Sequence, residues 1–402
     1  MNASAEDLLH QGSGSNKSSA KRVMLIASYA PSLITFRSHL IRNLVSRGHD
    51  VLCLAPDFSE DVREQVLTLG AKSADYPLSR RGLNPFNDFK SMRALLAQMQ
   101  SFRPDIVMGY TPKPAIYGSI AARLAHVPRV VPMITGLGFA FLGRSHRDRS
   151  VQFISRRLYA SAFRSSHAVI FHNQDDAQQL IQTKIVPPGL PTHVVGGSGV
   201  NLSDFCETPL PATKDGLTFL MIARLLKYKG VVEFCDAARE VRKTAPNARF
   251  VLVGPEEPGP GGLTAAQLVH WQDCVTYAGP QADVRPYLSQ CHVFVLPSYD
   301  GEGLPRTILE AMAVGRPIIT TDARGCRETI DERVNGCLVP VANAEALAEA
   351  MRSFLRRPDL LPAMARASRQ KVARLFDVEI VTRDMLAILL NVKNPQPAPD
   401  LE

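Results

Sequence analysis

The sequence predicts an α/β protein of two domains, each a parallel β-sheet with helices on both faces. The chain has 402 residues, more than one ordinary hydrophobic core accommodates. Apolar, strand-like runs alternate with amphipathic, helix-like stretches, which is the pattern of repeated βα units. This alternation pauses at residues 196–216, a stretch rich in Gly, Pro, Ser and Thr that we interpret as the linker between the domains.

The first domain is predicted to span residues 22–200, after a disordered, Ser- and Gly-rich tail at residues 1–21. Its helices include residues 36–47, where apolar side chains recur on one face, and residues 89–102. Its strand-like runs are residues 23–28, 51–55, 105–108 and 130–134.

The second domain is predicted to span residues 201–378, and residues 393–402 form a flexible tail. Its strands alternate with helices as in the first domain, so a second parallel sheet follows. The strand-like runs are residues 217–223, 250–254, 275–278, 293–296 and 317–321.

Composition excludes several classes of protein. The 45% hydrophobic content is that of a soluble globular chain, and no apolar run reaches the roughly 18 residues needed to span a bilayer. The seven cysteines are scattered without a C-x-x-C pair, which favours a reducing cytoplasm over a disulfide framework or zinc.

Charge is concentrated in the first half of the chain. Residues 1–200 hold 23 Lys and Arg against 13 Asp and Glu, a net charge of +10, whereas the remainder carries −2. One domain therefore faces something acidic. We expect no nucleic acid, because no zinc finger, aromatic RNP strand or helix-turn-helix signature accompanies the charge.

An anionic membrane surface fits the basic half better. Residues 144–164 carry six arginines and one acid, with aromatic and aliphatic residues between them, which resembles a basic amphipathic surface helix. The alternative is an ordinary helix with its apolar stripe in the core and solvated arginines outside.

Residues 300–310, DGEGLPRTILE, place two carboxylates eight positions apart across a strand-to-helix junction. Pro305 suits the start of a helix, so Glu302 lies in the loop and Glu310 about a turn and a half into the helix. The free N–H groups near Gly303 and Leu304 favour an anion. This arrangement suits a nucleoside diphosphate linked to a sugar, but on spacing alone an ordinary turn with two solvated glutamates is equally consistent.

The motif E-G-L-P-x-x-x-L-E, followed by AMAVGRPII, resembles the E-x7-E signature of retaining glycosyltransferase family 4, whose members have the GT-B fold. From residue 23 to about residue 390, segments match in order the subgroup around the CapM and PglA polysaccharide glycosyltransferases. The matching motifs are PLSRRGLNP at 77–85, YTPKP at 110–114, TGLGF at 135–139 and GSGVN at 197–201.

The resemblance implies two Rossmann-like domains facing an interdomain cleft, with the first binding the acceptor and the second the nucleotide sugar. It also implies that the last helix, within residues 379–392, crosses back to the first domain. Because ligands bind at the carboxyl ends of parallel strands, where each of these motifs lies, one shared cleft is expected.

The resemblance also implies the roles of the donor-binding residues. Glu302 contacts the donor-sugar hydroxyls and Glu310 the ribose hydroxyls, while Arg224 and Lys229 neutralise the departing diphosphate. Lys227 is a less favoured rival for the lysine role, and without the resemblance exposed charges at the start of a helix would be the favoured interpretation of this segment. Further expected donor contacts are Gly303, Leu304, Pro305, Gly279 and Gly136.

On the acceptor side, Lys113 is the candidate for binding phosphate, next to Thr111. Arg37, Arg80 and Arg81 are supporting candidates, and for each of these a solvated loop charge is the alternative. Many relatives carry a His before Gly136, but Thr135 stands there in this chain, so no His-dependent role is inferred. TGLGF itself is usual within the CapM and PglA subgroup.

Rival motifs are weak. The chain lacks G-x-G-x-x-G, a P-loop and D-x-D, so neither a dehydrogenase, a P-loop kinase nor a metal-bound diphosphate is expected, and no metal or cofactor is predicted. We therefore expect a cytoplasmic, peripheral membrane enzyme that moves a sugar from a nucleotide diphosphate, with UDP as the expected nucleotide, onto a polyprenyl-diphosphate-linked saccharide in surface polysaccharide synthesis. A GT-B sugar-nucleotide epimerase and a non-enzymatic nucleotide-sugar-binding protein are the alternatives.

Overall fold

The computed structural model describes residues 20–79, 84–138, 146–257, 259, 261–299 and 302–392, without the side chains of residues 146–149. The predicted tails, apart from Ala20 and Lys21, lie outside the described residues. So do the candidates Arg80 and Arg81 and the first two residues of the DGEGLPRTILE motif.

The first unit is built on parallel strands with helices between them. Its strands are β1 (Arg22–Ile26), β2 (Asp50–Ala55), β3 (Lys72–Asp75), β4 (Ile106–Gly109), β5 (Arg129–Val130), β6 (Met133–Ile134), β7 (Val169–Phe171) and β8 (Thr192–Val194). Its helices are α1 (Pro31–Ser46), α2 (Glu60–Thr68), α3 (Pro85–Phe102), α4 (Pro112–Leu124), α5 (His146–Phe163) and α6 (Gln174–Gln182). The strand orders are β3-β2-β1-β4-β5 and β6-β7-β8.

The second unit contains one six-stranded parallel sheet in the order β11-β10-β9-β12-β13-β14. The strands are β9 (Thr218–Ile222), β10 (Arg249–Val253), β11 (Thr276–Tyr277), β12 (Val293–Leu296), β13 (Ile318–Thr321) and β14 (Gly336–Val339). Its helices are α7 (Val231–Arg242), α8 (Ala265–Leu268), α9 (Arg285–Gln290), α10 (Arg306–Ala313), α11 (Ala344–Arg356) and α12 (Leu361–Leu375). The last helix of the chain is α13 (Val378–Leu390). The predicted α/β class with two parallel-sheet units is confirmed.

Interior strands are mostly apolar because both faces of a parallel sheet are covered. Every residue of β9 and of β12 is buried, as expected for the two central strands of their sheet. By contrast, edge strand β3 has the sequence KSAD and no fully buried residue. Its polarity is the reason that hydrophobic patterning did not predict it.

The single strand predicted at residues 130–134 is wrong. Residues 130–134 form two short strands, β5 and β6, which belong to different sheets on either side of Pro132. Proline lacks the N–H that a ladder needs, so the chain shifts there from one sheet to the next. Short strands β7, β8 and β14 were also not predicted.

Strand order reverses between β1 and β4 in the first unit and between β9 and β12 in the second. At such switch points the loops leave in opposite directions and open a crevice at the carboxyl ends of the strands. The loops after β9 and β12 carry Lys229 and Glu302, so the carboxylate motif lies at the crevice of the second sheet.

Helix α13 packs on α1 of the first unit, although it comes last in the sequence. Val381, Met385 and Leu389 belong to the same apolar core as β1 and β2. Arg129 reinforces the contact, with Nε donating to the Leu389 carbonyl at 2.8 Å. The second unit is therefore attached to the first by two chain crossings, at the linker and before α13. Among the described helices, none is both long and apolar enough to cross a bilayer.

Candidate functional site

The centre of the site is an ion pair between Lys229 and Glu302. The ammonium of Lys229 donates to Oε1 of Glu302, and the side chains are only 16% and 15% exposed. Ser298 Oγ also donates to this carboxylate oxygen, at 3.1 Å. A carboxylate that is mostly buried needs such partners, because desolvation without them is costly.

Backbone geometry at Gly230 delivers Lys229 to this position. After β9 the chain makes a single 3₁₀ turn over Lys227–Lys229, and Gly230 then adopts a left-handed conformation with φ of 78°. A Cβ on Gly230 would lie 2.3 Å from the Pro297 carbonyl oxygen, so the turn can press against the end of β12 only because the residue is glycine.

Arg224 lies on the same loop but is more exposed. Its Nη1 donates to Glu257 at 3.1 Å and its Nη2 to the Tyr228 hydroxyl at 3.3 Å, and half of the side chain is solvent-accessible. The structure brings Lys229, and not the exposed Lys227, to Glu302. Arg224 and Lys229 thus supply two cationic groups on one loop, and Lys229 contacts the Glu302 carboxylate directly.

Glu310 is held by a different arginine. Pro305 precedes α10, as the sequence predicted, and Arg306 in the first turn donates from Nε to Glu310 at 2.9 Å. Burial raises the pKa of Glu310, and the Arg306 charge opposes that shift. Arg306 also reaches the first unit, where it donates to the Thr35 carbonyl and lies 5.3 Å from the ring centroid of Phe36.

The loop that follows Glu302 is packed against the first unit. A Cβ on Gly303 would lie 2.0 Å from the Thr135 carbonyl oxygen, and the Asn173 side chain donates to the Gly303 carbonyl at 3.0 Å. Leu304 is 8% exposed, and a Cβ on Gly197 would lie 3.0 Å from the Leu304 side chain. Gly303 and Leu304 therefore lie at the boundary between the two units.

Charged contacts extend this boundary along the start of α6. Glu328 accepts the backbone N–H of Gln174 at 2.7 Å, and Arg327 pairs with Asp175 at 3.0 Å. Arg324 lies 3.6 Å from Asp176 and donates to Gln179 as well. The acidic first turn of α6 thus meets two arginines and one carboxyl of the second unit.

Two predicted glycines lie in loops around the cleft. Gly279 follows β11 with φ of 71°, and no atom lies within 4 Å of the position its Cβ would take. Its carbonyl accepts the N–H of Gly254 at 3.0 Å, which joins the loops after β10 and β11. Gly136 follows β6 with φ of 138°, next to the Thr135 carbonyl that faces Gly303.

The predicted phosphate ligand Lys113 already has partners. Its ammonium donates to Asp88 at 2.7 Å and to the Ser79 carbonyl at 2.8 Å, and the side chain is 13% exposed. Thr111 precedes α4 with a φ of 69°, unusual for a β-branched residue, and its hydroxyl donates to Ser28 at 2.8 Å. The structure places Thr111 at the first unit's switch point, and phosphate binding by Lys113 stays a prediction.

Arg37 is 2% exposed and lies on α1, so it is not a solvated charge in a loop. Its guanidinium lies 5.0 Å from the Tyr110 ring centroid, and Nη2 contacts Met133 Sδ at 2.9 Å and His172 Nε2 at 3.4 Å. Burial lowers the pKa of Arg37 to about 10. Burial and the Arg37 charge together lower the pKa of His172 well below its ordinary value, so the imidazole is neutral and accepts from Arg37.

Sequence reasoning missed the groups that join the two units. Asn173, Arg306 and Glu328 were not singled out, because each looks like an ordinary helix cap or surface charge. One signal was available for Asn173: it follows an apolar VIF run, as the other cleft residues follow theirs. That run is only three residues long, so it was not recognised as a strand.

Two family models match successive parts of the chain. Residues 34–196 match the model described as "Glycosyl transferase 4-like domain", and residues 216–357 match "Glycosyl transferases group 1". The boundary between the matches falls within the linker predicted at residues 196–216.

Named relatives cover most of the chain. It is 28% identical over 383 residues to N,N'-diacetylbacillosaminyl-diphospho-undecaprenol alpha-1,3-N-acetylgalactosaminyltransferase of Campylobacter jejuni, covering 91% of this chain and 98% of the relative. It is 27% identical to UDP-Gal:alpha-D-GlcNAc-diphosphoundecaprenol alpha-1,3-galactosyltransferase of Escherichia coli, covering 75% and 79%. The solved structure of Anabaena Alr3699/HepE, in complex with UDP and glucose, has the same fold, with a TM-score of 0.72 at 17% identity, covering 92% of this chain and 99% of that chain.

The boundary carboxyl of Glu328 predicts a pH dependence of stability. Burial, with Asp175 and Asp176 adding to it, raises the pKa of Glu328 from 4.5 to about 7, while the N–H of Gln174 opposes the shift. A carboxyl with a raised pKa in the folded state stabilises below its unfolded pKa, and this contribution is lost as the pH rises through about 7. The wild type should therefore lose stability between pH 5 and pH 8. We expect Glu328→Gln to lose about 1 kcal/mol less unfolding free energy over the same pH interval.

Urea unfolding at the two pH values measures this difference. The control is Glu349→Gln, which removes an exposed carboxylate on α11 that pairs with Arg356. Arg356 lowers the pKa of Glu349, so the group stays ionised across this range and the variant keeps the wild-type loss of stability between pH 5 and pH 8. An unchanged pH dependence in Glu328→Gln would contradict the assignment.

Proposed function

We propose that this chain, which belongs to the glycosyltransferases with paired 4-like and group 1 domains, transfers a sugar from a UDP-sugar to a polyprenyl-diphosphate-linked saccharide. The observation that carries the proposal is the Lys229–Glu302 pair at the switch point of the second sheet, beside Arg224 and the start of α10. Two relatives named for diphosphoundecaprenol substrates, and a similar fold solved with UDP and glucose, support the choice of acceptor and donor.

The donor lies in the crevice of the second sheet. Glu302 accepts hydrogen bonds from the hydroxyls of the sugar. Glu310 accepts hydrogen bonds from the hydroxyls of the ribose after Arg306 moves away from part of the Glu310 carboxylate. Gly279 and Gly136 lie on the loops that border the nucleotide and the sugar. These contacts fix the donor with its diphosphate toward the cationic loop after β9.

Leaving-group stabilisation comes from Arg224 and Lys229. As the bond from the anomeric carbon to the diphosphate breaks, negative charge grows on the departing oxygen, and positive charge already in place stabilises it. Arg224 offers a planar, two-pronged donor and Lys229 a point charge. In this mechanism no metal ion is required for the diphosphate.

Glu302 serves positioning and not nucleophilic attack. Its carboxylate already binds an ammonium and a hydroxyl, and both interactions reduce its nucleophilicity. The acceptor hydroxyl oxygen bonds to the anomeric carbon on the face from which the diphosphate leaves, so the anomeric configuration is retained. The hydroxyl proton passes to the departing phosphate oxygen. Contact between the units at Gly303 excludes water, which favours transfer over hydrolysis.

The acceptor approaches the first unit at the membrane surface. Helices α3 and α5 both pack on α4, the helix that follows Thr111. Tyr159 and Phe163 of α5 are buried, so part of its apolar stripe belongs to the core. The same two helices nevertheless expose large apolar side chains, with these exposed fractions: Phe86 87%, Phe89 60%, Phe153 60% and Ile154 47%.

These apolar residues and their basic neighbours form a surface suited to an anionic bilayer. The exposed basic residues on the same helices are Lys90, Arg93, Arg156 and Arg157. Apolar side chains enter the acyl boundary while cationic groups stay among the lipid phosphates. A lipid-linked acceptor would then reach the cleft without leaving the membrane.

Incubation with a panel of UDP-sugars and a polyprenyl-diphosphate-linked saccharide tests the function. We expect a lipid-bound product with the donor's anomeric configuration, formed at an unchanged rate in the presence of EDTA. Release of free sugar without lipid acceptor would instead indicate an epimerase, and UDP binding without any product a non-enzymatic protein. A large loss of rate with EDTA would contradict metal-independent transfer.

Substitution of the central pair tests the roles of its members. We expect Lys229→Ala and Glu302→Ala to lower the transfer rate by at least about 100-fold, because each removes a preorganised contact to the reacting donor. The control Lys227→Ala removes an exposed lysine on the same 3₁₀ turn and keeps near-wild-type rates. Circular dichroism verifies folding, and activity retained in either site variant would contradict its assigned role.

Vesicle binding tests the membrane surface. We expect Phe86→Ser combined with Phe89→Ser to weaken binding to phosphatidylglycerol vesicles about tenfold or more, since two exposed rings lose their insertion. The control is Leu67→Ser, which removes a 70% exposed apolar residue on α2. Sedimentation with the vesicles measures binding, and equal binding by all three proteins would contradict this surface.

A further inference from the structure

We infer that Asn173, on the first unit, is a positioning residue for Glu302 on the second. Its amide group holds the loop over residues 302–304 across the domain boundary, so the donor-sugar subsite is complete only when both units are in contact. The inference rests on the proposed function for its catalytic consequence. The contact itself does not depend on which sugar is transferred.

Asn173 has two separable tasks. Its Oδ1 accepts the backbone N–H of Asp176 at 2.7 Å and so caps the start of α6. Its Nδ2 donates to Asp176 Oδ2 at 2.9 Å and to the Gly303 carbonyl at 3.0 Å. The cap needs only an acceptor oxygen, which serine or aspartate also provides. The bond to Gly303 needs a separate donor on the far side of the group, which the asparagine amide supplies and the shorter serine side chain, with its single oxygen, does not.

The bond to Gly303 is fully buried, since Asn173 is 0% exposed. A buried carbonyl without a donor is unfavourable, so this bond favours one position of the loop. Aspartate at 173 would face the same carbonyl with an acceptor. The asparagine amide can thus cap the start of α6 with its oxygen and bind the loop with its nitrogen at the same time.

Close packing around Gly303 transmits this position to Glu302. A Cβ on Gly303 would lie 2.0 Å from the Thr135 carbonyl oxygen and 3.3 Å from His172 Cβ. On the other side, a Cβ on Gly325 would lie 1.7 Å from the Gly303 carbonyl oxygen. The peptide after Glu302 is therefore enclosed by both units, and a shift of the loop moves the carboxylate directly.

The surrounding polar contacts hold the two units together but do not bind the loop that carries Glu302. Arg327 with Asp175, and Glu328 with the Gln174 N–H, join the first turn of α6 to residues 324–328. Both contacts lie at more exposed positions than Asn173. They bring α6 toward the second unit, whereas Asn173 makes the bond to the segment that carries Glu302.

Asn173→Ser tests the inference, because it keeps a cap and removes the amide donor. We expect kcat to fall about five- to tenfold, with the dissociation constant for UDP changed less than about twofold, because the nucleotide contacts lie on the second unit. Backbone amides in peptides covering residues 302–309 should exchange hydrogen about fivefold faster, without a comparable increase in the rest of the second unit. Asn173→Asp should show the same pattern with a larger fall in kcat.

The matched control is Asn343→Ser. Asn343 is an exposed cap of α11 whose Oδ1 accepts the N–H of Ala346 at 2.8 Å, so the substitution is chemically identical but lies at a helix start outside the domain boundary. It should leave kcat and exchange of residues 302–309 unchanged. Combining Asn173→Ser with Gly303→Ala should give less than the sum of the two effects, since both act on one contact.

The outcomes separate this inference from the proposed function. Faster exchange at residues 302–309 in Asn173→Ser, in a protein that transfers no sugar from any donor, would support the positioning contact and contradict the transferase proposal. Wild-type kcat and wild-type exchange in Asn173→Ser, in a protein that does transfer sugar, would overturn the positioning role. Faster exchange throughout α6 without a specific increase at residues 302–309 would also overturn it, because the residue would then act only as a cap.

Discussion

The ion pair between Lys229 and Glu302 is the interaction on which the rest of the site depends. Both side chains are largely withdrawn from water, so neither charge is favourable there without the other. The pair exists because two loops leave adjacent strands, β9 and β12, at the point where strand order reverses. Gly230 then lets the first loop approach the second more closely than any other residue would allow. A bound diphosphate would bring negative charge next to Lys229. The lysine would then be paired with both the diphosphate and Glu302, which is why a cation and a carboxylate belong in one donor site.

A second constraint is that the two units share the loop after Glu302. The first unit contributes the Thr135 carbonyl and the Asn173 amide, and the second contributes Gly303 and Gly325, whose missing side chains make room for the contact. Arg306 makes a similar connection, since it binds Glu310 within its own helix and the Thr35 carbonyl across the boundary. The groups that bind the donor in our account are therefore linked to the groups that hold the units together. Closure and donor binding become one process.

Much of this could be predicted from the sequence, and the exceptions have physical causes. Buried strands such as β9 and β12 are apolar along nearly their whole length, so they were found with nearly correct limits. Pro305 marked the start of α10. Edge strand β3 is polar, and Pro132 divides one apolar run between two sheets, so hydrophobic patterning failed at both. Contacts such as Asn173 with Gly303 join residues 130 positions apart and leave no local pattern. Burial of Arg37 and the pairing of Lys113 with Asp88 could likewise be seen only in three dimensions.

A crystal structure of the protein with bound UDP tests the central claim most directly. We predict the diphosphate within hydrogen-bonding distance of both Arg224 and Lys229, and the ribose hydroxyls on Glu310 with Arg306 turned partly away. The uridine ring should lie by the loops that contain Gly254 and Gly279, with Glu302 facing the space beyond the terminal phosphate. UDP bound away from the carboxyl ends of β9 and β12, or bound there without contact to either cation, would contradict the account.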